Sequence, residues 1–119
     1  MPNDSALIKN ATISAADTIT ILYVSPASSD GTVIRSLTVS NNSPASSSYK
    51  AYIYDSDGVS VSAIVPMKVV VKDKFDSASS AVNQTIPAGG TLRAENSTAD
   101  ALNFYMSGLE QVKGIKVVK

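Results

Sequence analysis

The chain has 119 residues, 44% hydrophobic and only 17% charged, a balance that selects a folded domain over a disordered chain. Its 10 basic and 10 acidic residues cancel to a net charge of +0, which leaves no basic surplus for a nucleic acid and no self-repulsion between copies. Cys and His are absent, which excludes disulfides, thiolate chemistry, Cys/His metal sites and His-based proton transfer.

The start, Met1-Pro2-Asn3-Asp4-Ser5, is polar and lacks the basic and apolar regions of a signal peptide. No apolar run approaches the ~18 residues of a membrane span. The expectation is a protein made in a cytoplasm and not exported by a cleaved signal, with no membrane partner and no nucleic-acid partner.

Apolar and polar residues alternate with period 2, the pattern of half-buried strands, and no stretch sustains a helical stripe between caps. Ala6 to Ser14 is the first candidate strand. Thr18 to Val24 follows, with Ile19, Ile21 and Tyr23 expected on one face. Pro26-Ala27-Ser28-Ser29-Asp30-Gly31 reads as a turn. Thr32 to Asn41 is the clearest strand, with Val33, Leu37 and Val39 alternating against Ile34, Ser36 and Thr38. Arg35 falls among these apolar residues, so it is expected near an edge or paired with a carboxylate.

A polar loop, Asn41 to Ser48, precedes a strand from Tyr49 to Asp55, with Tyr52 and Tyr54 on one face and Ala51 and Ile53 on the other. Asp57-Gly58 signals a hairpin, because Gly takes a positive φ at no steric cost. Val59 to Val65 returns, with Val59, Val61, Ala63 and Val65 in register, and Pro66 breaks the sheet or marks its edge. Met67 to Lys72 is a further β-branched run. Lys74 to Asn83 reads as a loop or a short helical turn. Thr85-Ile86 leads into the turn Pro87-Ala88-Gly89-Gly90. Thr91 to Glu95 and Leu102 to Leu109 are expected to pair, and Gln111 to Lys119 reads as an apolar and basic strand or tail.

Turn signals at this spacing predict an all-β fold of about eight to ten short strands, an antiparallel β-sandwich or jelly-roll-like barrel with terminal arms. The expected organisation is a single β domain over 1–119, with its core at about 18–110, an N-terminal arm at 1–10 and a C-terminal strand or tail at 111–119.

The search for chemistry returns little. Without His, nucleophilic catalysis would need a Ser–Lys pair, and no G-x-S-x-G elbow is present. Asp55, Asp57, Glu95 and Glu110 are the carboxylates that a glycosidase would use, yet the chain has no Trp and only 6% aromatics to floor a sugar site. Asp55-Ser56-Asp57-Gly58 has the opening spacing of a calcium loop but lacks the downstream bidentate Glu, so a hairpin turn is the better reading. Asn10-Ala11-Thr12, Asn41-Asn42-Ser43, Asn83-Gln84-Thr85 and Asn96-Ser97-Thr98 match the glycosylation pattern by chance in a chain rich in these residues. Pro87-Ala88-Gly89-Gly90 lacks the Gly-Lys-Ser/Thr element of a phosphate loop. No catalytic, cofactor or metal residue is assigned, and the chain is not expected to be an enzyme. A pocket gathering two or more ionisable groups would be the first sign against that expectation.

Two features bear on contacts. Tyr49, Tyr52 and Tyr54 form either a contact patch or a packed core cluster. Lys113, Lys116 and Lys119, interleaved with Val112, Ile115, Val117 and Val118, make Gln111 to Lys119 an amphipathic segment able to add to a neighbour's open sheet edge. The arm from Pro2 to Asn10 has the same capacity.

The order of segments carries a resemblance. Thr18 to Val24, Val33-Ile34-Arg35-Ser36-Leu37-Thr38-Val39-Ser40-Asn41, Tyr49 to Tyr54, Ile86-Pro87-Ala88-Gly89-Gly90-Thr91-Leu92-Arg93-Ala94 and Ala101 to Glu110 together resemble small β-sandwich virion proteins of tailed bacteriophages. In that group an I-R-S-L/I-x-x-x-N strand precedes a P-A-G-x-x-L turn, and an alternating strand closes on S-G-x-E. The likeness covers about residues 18–110. It departs at Ser25 to Gly31, where the group often has a second P-A-G turn.

The resemblance implies a structural virion protein, without catalytic residues or cofactors. The role expected first is a capsid decoration (cement) protein that binds the major capsid protein as a homo-oligomer, taken as a trimer, and braces the head lattice by multivalency. Its place would be the virion, assembled in the host cytoplasm. A neck, tail or baseplate component is the nearest alternative. A carbohydrate- or receptor-binding module is the alternative of another class.

Overall fold

A computed structural model describes residues 4–112. It holds nine strands among these residues: β1 (Asp4–Thr12), β2 (Thr20–Val24), β3 (Ser29–Asn41), β4 (Ser47–Tyr54), β5 (Ser60–Val70), β6 (Phe75–Ser77), β7 (Thr85–Ile86), β8 (Thr91–Asn96) and β9 (Leu102–Val112), with a short 3₁₀ helix at Ser79–Ala81. One sheet has the order β1-β9-β3-β6, with β7 also on β3, and the other has the order β2-β8-β4-β5. Every pairing is antiparallel. This is the jelly-roll arrangement of a two-sheet sandwich, not a closed barrel.

Alternation explains why the sheets face each other. On β4, Ser47, Tyr49, Ala51 and Ile53 are buried while Ser48, Lys50, Tyr52 and Tyr54 stay half-exposed. On β9, Leu102, Phe104 and Met106 point inward, as do Leu92 and Ala94 on β8. Ile34, Leu37, Val39, Leu92, Leu102 and Phe104 are each at most 2% exposed, and full burial of such a side chain is worth about 1.5–3 kcal/mol. Tyr49 meets Phe104 edge-on at 5.6 Å, tying the two layers together.

Several sequence expectations are corrected, mostly by bulges. The ladder slips between Ile34 and Ser36, so Ile34, not Val33, shares the core face with Leu37 and Val39. Arg35 sits in that slip, exposed and with no ion pair among the described residues, neither at a sheet edge nor paired. A second slip between Ile21 and Tyr23 turns both Leu22 and Tyr23 inward and leaves Ile19 and Ile21 outside. An extra residue flips side-chain parity in each case.

Three irregularities in the β4–β5 pairing likewise break the expected Val59-to-Val65 register, leaving Val59 exposed and both Ile64 and Val65 buried. β5 runs through Pro66 without breaking, as an edge strand permits. The expected pairing of Thr91–Glu95 with Leu102–Leu109 does not form, because β8 and β9 lie in opposite sheets. The chain beyond Val112, including Lys113, Lys116 and Lys119, lies outside the described residues.

The resemblance motifs acquire structural reasons. Pro87 to Gly90 closes as a turn, with Gly90 N donating to Pro87 O and Gly89 at φ +74°. A Cβ on Gly90 would lie 2.4 Å from Tyr54 O, and one on Gly108 would lie 2.5 Å from Val33 O, so both positions require glycine.

Hydrogen bonds fasten the two ends of the sandwich. At one end Tyr23 of β2 donates its phenol to Glu110 of β9, beside Thr32 at 3.0 Å, and Ser25 joins Thr32 at 2.8 Å. Burial first, then Glu110, pushes the Tyr23 phenol up to about 12. At the other end Tyr49 of β4 donates to Asp76 of β6 at 2.6 Å, and burial followed by Asp76 raises its pKa. Asn41 Nδ2 there donates to Val70 O and Ala45 O at 2.8 Å each.

Candidate functional site

The outward face of the four-stranded sheet is the best-furnished surface among the described residues. It exists because each strand alternates. β8 turns Leu92, Ala94 and Asn96 inward, leaving Arg93 and Glu95 half-exposed on the other side with Thr91 covered there, and β4 presents Lys50, Tyr52 and Tyr54 beside them. The register puts Ile21, Arg93 and Tyr52 in one row. Ile19 just before β2 and Ile21 and Val24 on it are 42%, 49% and 55% exposed, and Met67 and Val69 are exposed on β5.

The centre of this face is pre-ordered. Arg93 Cζ stacks 4.1 Å over the Tyr54 ring, and its Nε donates to Thr91 Oγ1 at 2.9 Å. Tyr52 meets Tyr54 edge-on at 6.3 Å. Tyr52 OH reaches Glu95 Oε2 at 3.5 Å, the outer limit of hydrogen bonding, and Glu95 also faces Lys50 at 4.0 Å. Slight burial first and then Glu95 raise the Tyr52 phenol, keeping it a neutral donor. Tyr, Arg and Met flanked by aliphatic residues form the composition enriched at interface centres.

The tyrosine alternatives are therefore split. Tyr52 and Tyr54 belong to the outward face, whereas Tyr49 is 1% exposed and belongs to the core. Arg93 was not singled out from sequence, and Ile19 and Ile21 were expected to share a face with Tyr23, which instead turns inward. The Thr91/Arg93/Glu95 alternation was legible, but the bulge that exposes Ile21 was not.

The carboxylates do not converge. Asp55 Oδ1 accepts from Asp57 N and Val59 N, so it caps the hairpin and is occupied as a turn acceptor. Gly58 there has φ +77°. Glu95 lies on β8, and Glu110 joins the Tyr23 cluster. No group of three or more His, Cys, Asp or Glu able to hold a metal occurs among the described residues. Asn41 and Asn96, two of the glycosylation matches, are 0% and 1% exposed and so cannot carry a glycan in the folded chain.

A pocket does gather ionisable groups: Asp17, Lys50 and Glu95, with Ser48, Tyr49, Met67, Asn96 and Ser97. Its volume is about 90 Å³, well under the ~300–1,000 Å³ of small-molecule sites. Ser97 Oγ in it accepts from Ser48 N at 2.9 Å and pairs with Ser47 Oγ at 3.1 Å, so it staples two strands instead of meeting a base. Chemically the arrangement offers contact surfaces and main-chain edges. No helix among the described residues is long and apolar enough to cross a membrane.

No family model matches the chain, and no curated protein matches it. Solved structures share its fold. One is from a study titled "Bacillus endospore appendages form a novel family of disulfide-linked pili": TM-score 0.55, 18% identity, covering 92% of this chain and 88% of that one. Another comes from the T13 IBDV viral particle, with TM-score 0.51 and 10% identity over 92% of this chain. This chain spans 31% of that viral one. At these identities the likeness establishes the jelly-roll sandwich, which is the fold of a pilus protein and of part of a viral-particle protein.

Proposed function

We propose that the chain is a non-catalytic structural subunit of a virion, and specifically a capsid decoration protein of a tailed bacteriophage. It would bind the outer head lattice as an oligomer, a trimer in the simplest case, and brace neighbouring capsomers. The observation that carries a subunit role is the outward face of β2, β8, β4 and β5. An Arg93–Tyr54 stack at its centre and exposed Ile19, Ile21 and Met67 around it form a surface with the composition of an interface.

The sequence resemblance supplies the phage, and the shared fold supports an assembly role. The chain has no Cys, so unlike the disulfide-linked pili its copies are held without disulfides. Many weak, repeated contacts on a lattice achieve that by multivalency.

The match to the appendage chain covers nearly all of both chains. It favours a second reading, in which the subunit stacks in a tail, neck or other filament instead of coating a shell. Imaging of the intact particle separates the two. Density for this fold spread over the head lattice supports decoration, a single ring or column supports the second reading, and absence from the particle sinks both.

A further inference from the structure

We propose that residues 113–119 of one copy add as a strand to the free edge of β2 in a second copy. This deepens the assembly reading above by naming the contact between copies. Among the described residues nothing pairs with the outer edge of β2. That edge is poorly defended. Thr20-Ile21-Leu22-Tyr23-Val24 contains no Pro and no Lys, has a single bulge, and sits beside the exposed Ile19, Ile21 and Val24.

The other edges are defended. β5 has Pro66, Lys68 and three register irregularities, and runs on to Lys72 and Lys74. β6 and β7 are only 3 and 2 residues long. β1 has Lys9 in mid-strand.

The segment complements β2 by pattern and charge. In extended form, alternate residues of 113–119 read Lys113, Ile115, Val117, Lys119 on one side. The outward side of the β2 region reads Ile19, Ile21, with Asp17 exposed in the turn that precedes it. The segment's pattern is the same in both directions, so a lysine lies toward the Asp17 end whether the added strand runs parallel or antiparallel. The Lys-bearing edge of β5 repels the same segment.

Chain direction favours a second copy as acceptor. β9 runs toward Val112, opposite Ser29, and β2 runs toward the same end, where Tyr23 meets Glu110. A strand that continues the course of β9 moves away from its own β2.

The test uses purified protein without particles. Sedimentation over a concentration series compares the full chain, a chain ending at Val112, and Ile21→Lys, with Ile19→Lys as the replacement if circular dichroism shows Ile21→Lys unfolded. The full chain is expected to associate, and each variant to associate at least about tenfold more weakly. The truncated chain keeps its edge and Ile21→Lys keeps its tail, so an equimolar mixture forms a heterodimer, weakened by salt.

Equal association of full and truncated chains overturns the proposal. So does a full chain that stays monomeric, as a tail folded onto its own β2 would produce, or folded variants that fail to complement. Particle binding by the full chain is scored separately. A full chain that binds particles without self-associating removes this contact and leaves the decoration reading standing, and one that self-associates without binding particles removes decoration alone.

Discussion

The two outward faces of the sandwich are built by the same alternation and differ in what it exposes. The β2-β8-β4-β5 face carries Ile21, Arg93, Tyr52 and Tyr54. The β9-β3-β6 face carries Ser36, Thr38, Ser40, Asn103 and Ser107, with Tyr105 and, opposite Ser40 at the short β6, Phe75 as its exposed aromatics among the described residues. On the latter, hydroxyls satisfy one another, as in the 2.6 Å Ser36–Ser107 bond. Apolar and aromatic area on the former is covered only by a partner. A sheet needs one apolar face to fold, so an outward face that stays apolar is furnished for something other than folding.

Charge placed on each face gives the largest expected difference. Tyr54→Glu with Arg93→Glu is expected to weaken assembly by at least ~100-fold, since buried Tyr and Arg anchors are worth about 2 kcal/mol or more each. Thr38→Glu with Ser40→Glu on the hydroxyl face is expected to leave assembly within about threefold. Particle occupancy by quantitative gel reads both, and an equal loss from the two pairs would erase the distinction between the faces.

What keeps the faces in a fixed relation is the pair of tyrosines that cross the core. Tyr49→Phe removes the donor to Asp76, which keeps only Lys68 at 3.8 Å. A loss of about 1–3 kcal/mol in denaturant unfolding is expected. Tyr23→Phe should cost less, because Thr32 and Ser25 still satisfy each other. High pH tests the same crossings. Both phenols titrate above the ordinary value of 10.0. The folded state therefore favours their neutral form: its advantage is complete below pH 10 and is lost as pH rises toward 12 and beyond. Thermal melts should stay level up to pH 10 and fall above it, and Tyr49→Phe should flatten that fall. A wild-type melt unchanged to pH 12 would contradict the crossings.

Strand existence was legible because period 2 is local, and the Asp57-Gly58 and Pro87-to-Gly90 turns were legible because glycine's freedom is local. The bulges at Arg35 and Leu22 were not. Each depends on how many residues the partner strand offers, which the strand itself does not encode. Partner choice was invisible for the same reason: β8 and β9 are neighbours in sequence yet sit in different sheets. The site suffered most, since a single slip decides whether Ile21 belongs to the core or to an interface.

The smallest predicted effect separates folding from contact on the plainer face. Ser36→Ala deletes one hydroxyl of the Ser36–Ser107 pair, both half-exposed. Ser107 can turn to solvent, so a stability loss of only about 0.5–1 kcal/mol is expected. Assembly should not change, because Ser36 and Ser107 satisfy each other without a partner. If Ser36→Ala left stability intact yet weakened assembly, the hydroxyl face would be a contact surface recognised by hydrogen bonds. The aromatic face would then be one of two interfaces, which is the arrangement a lattice subunit with neighbours on both sides would need.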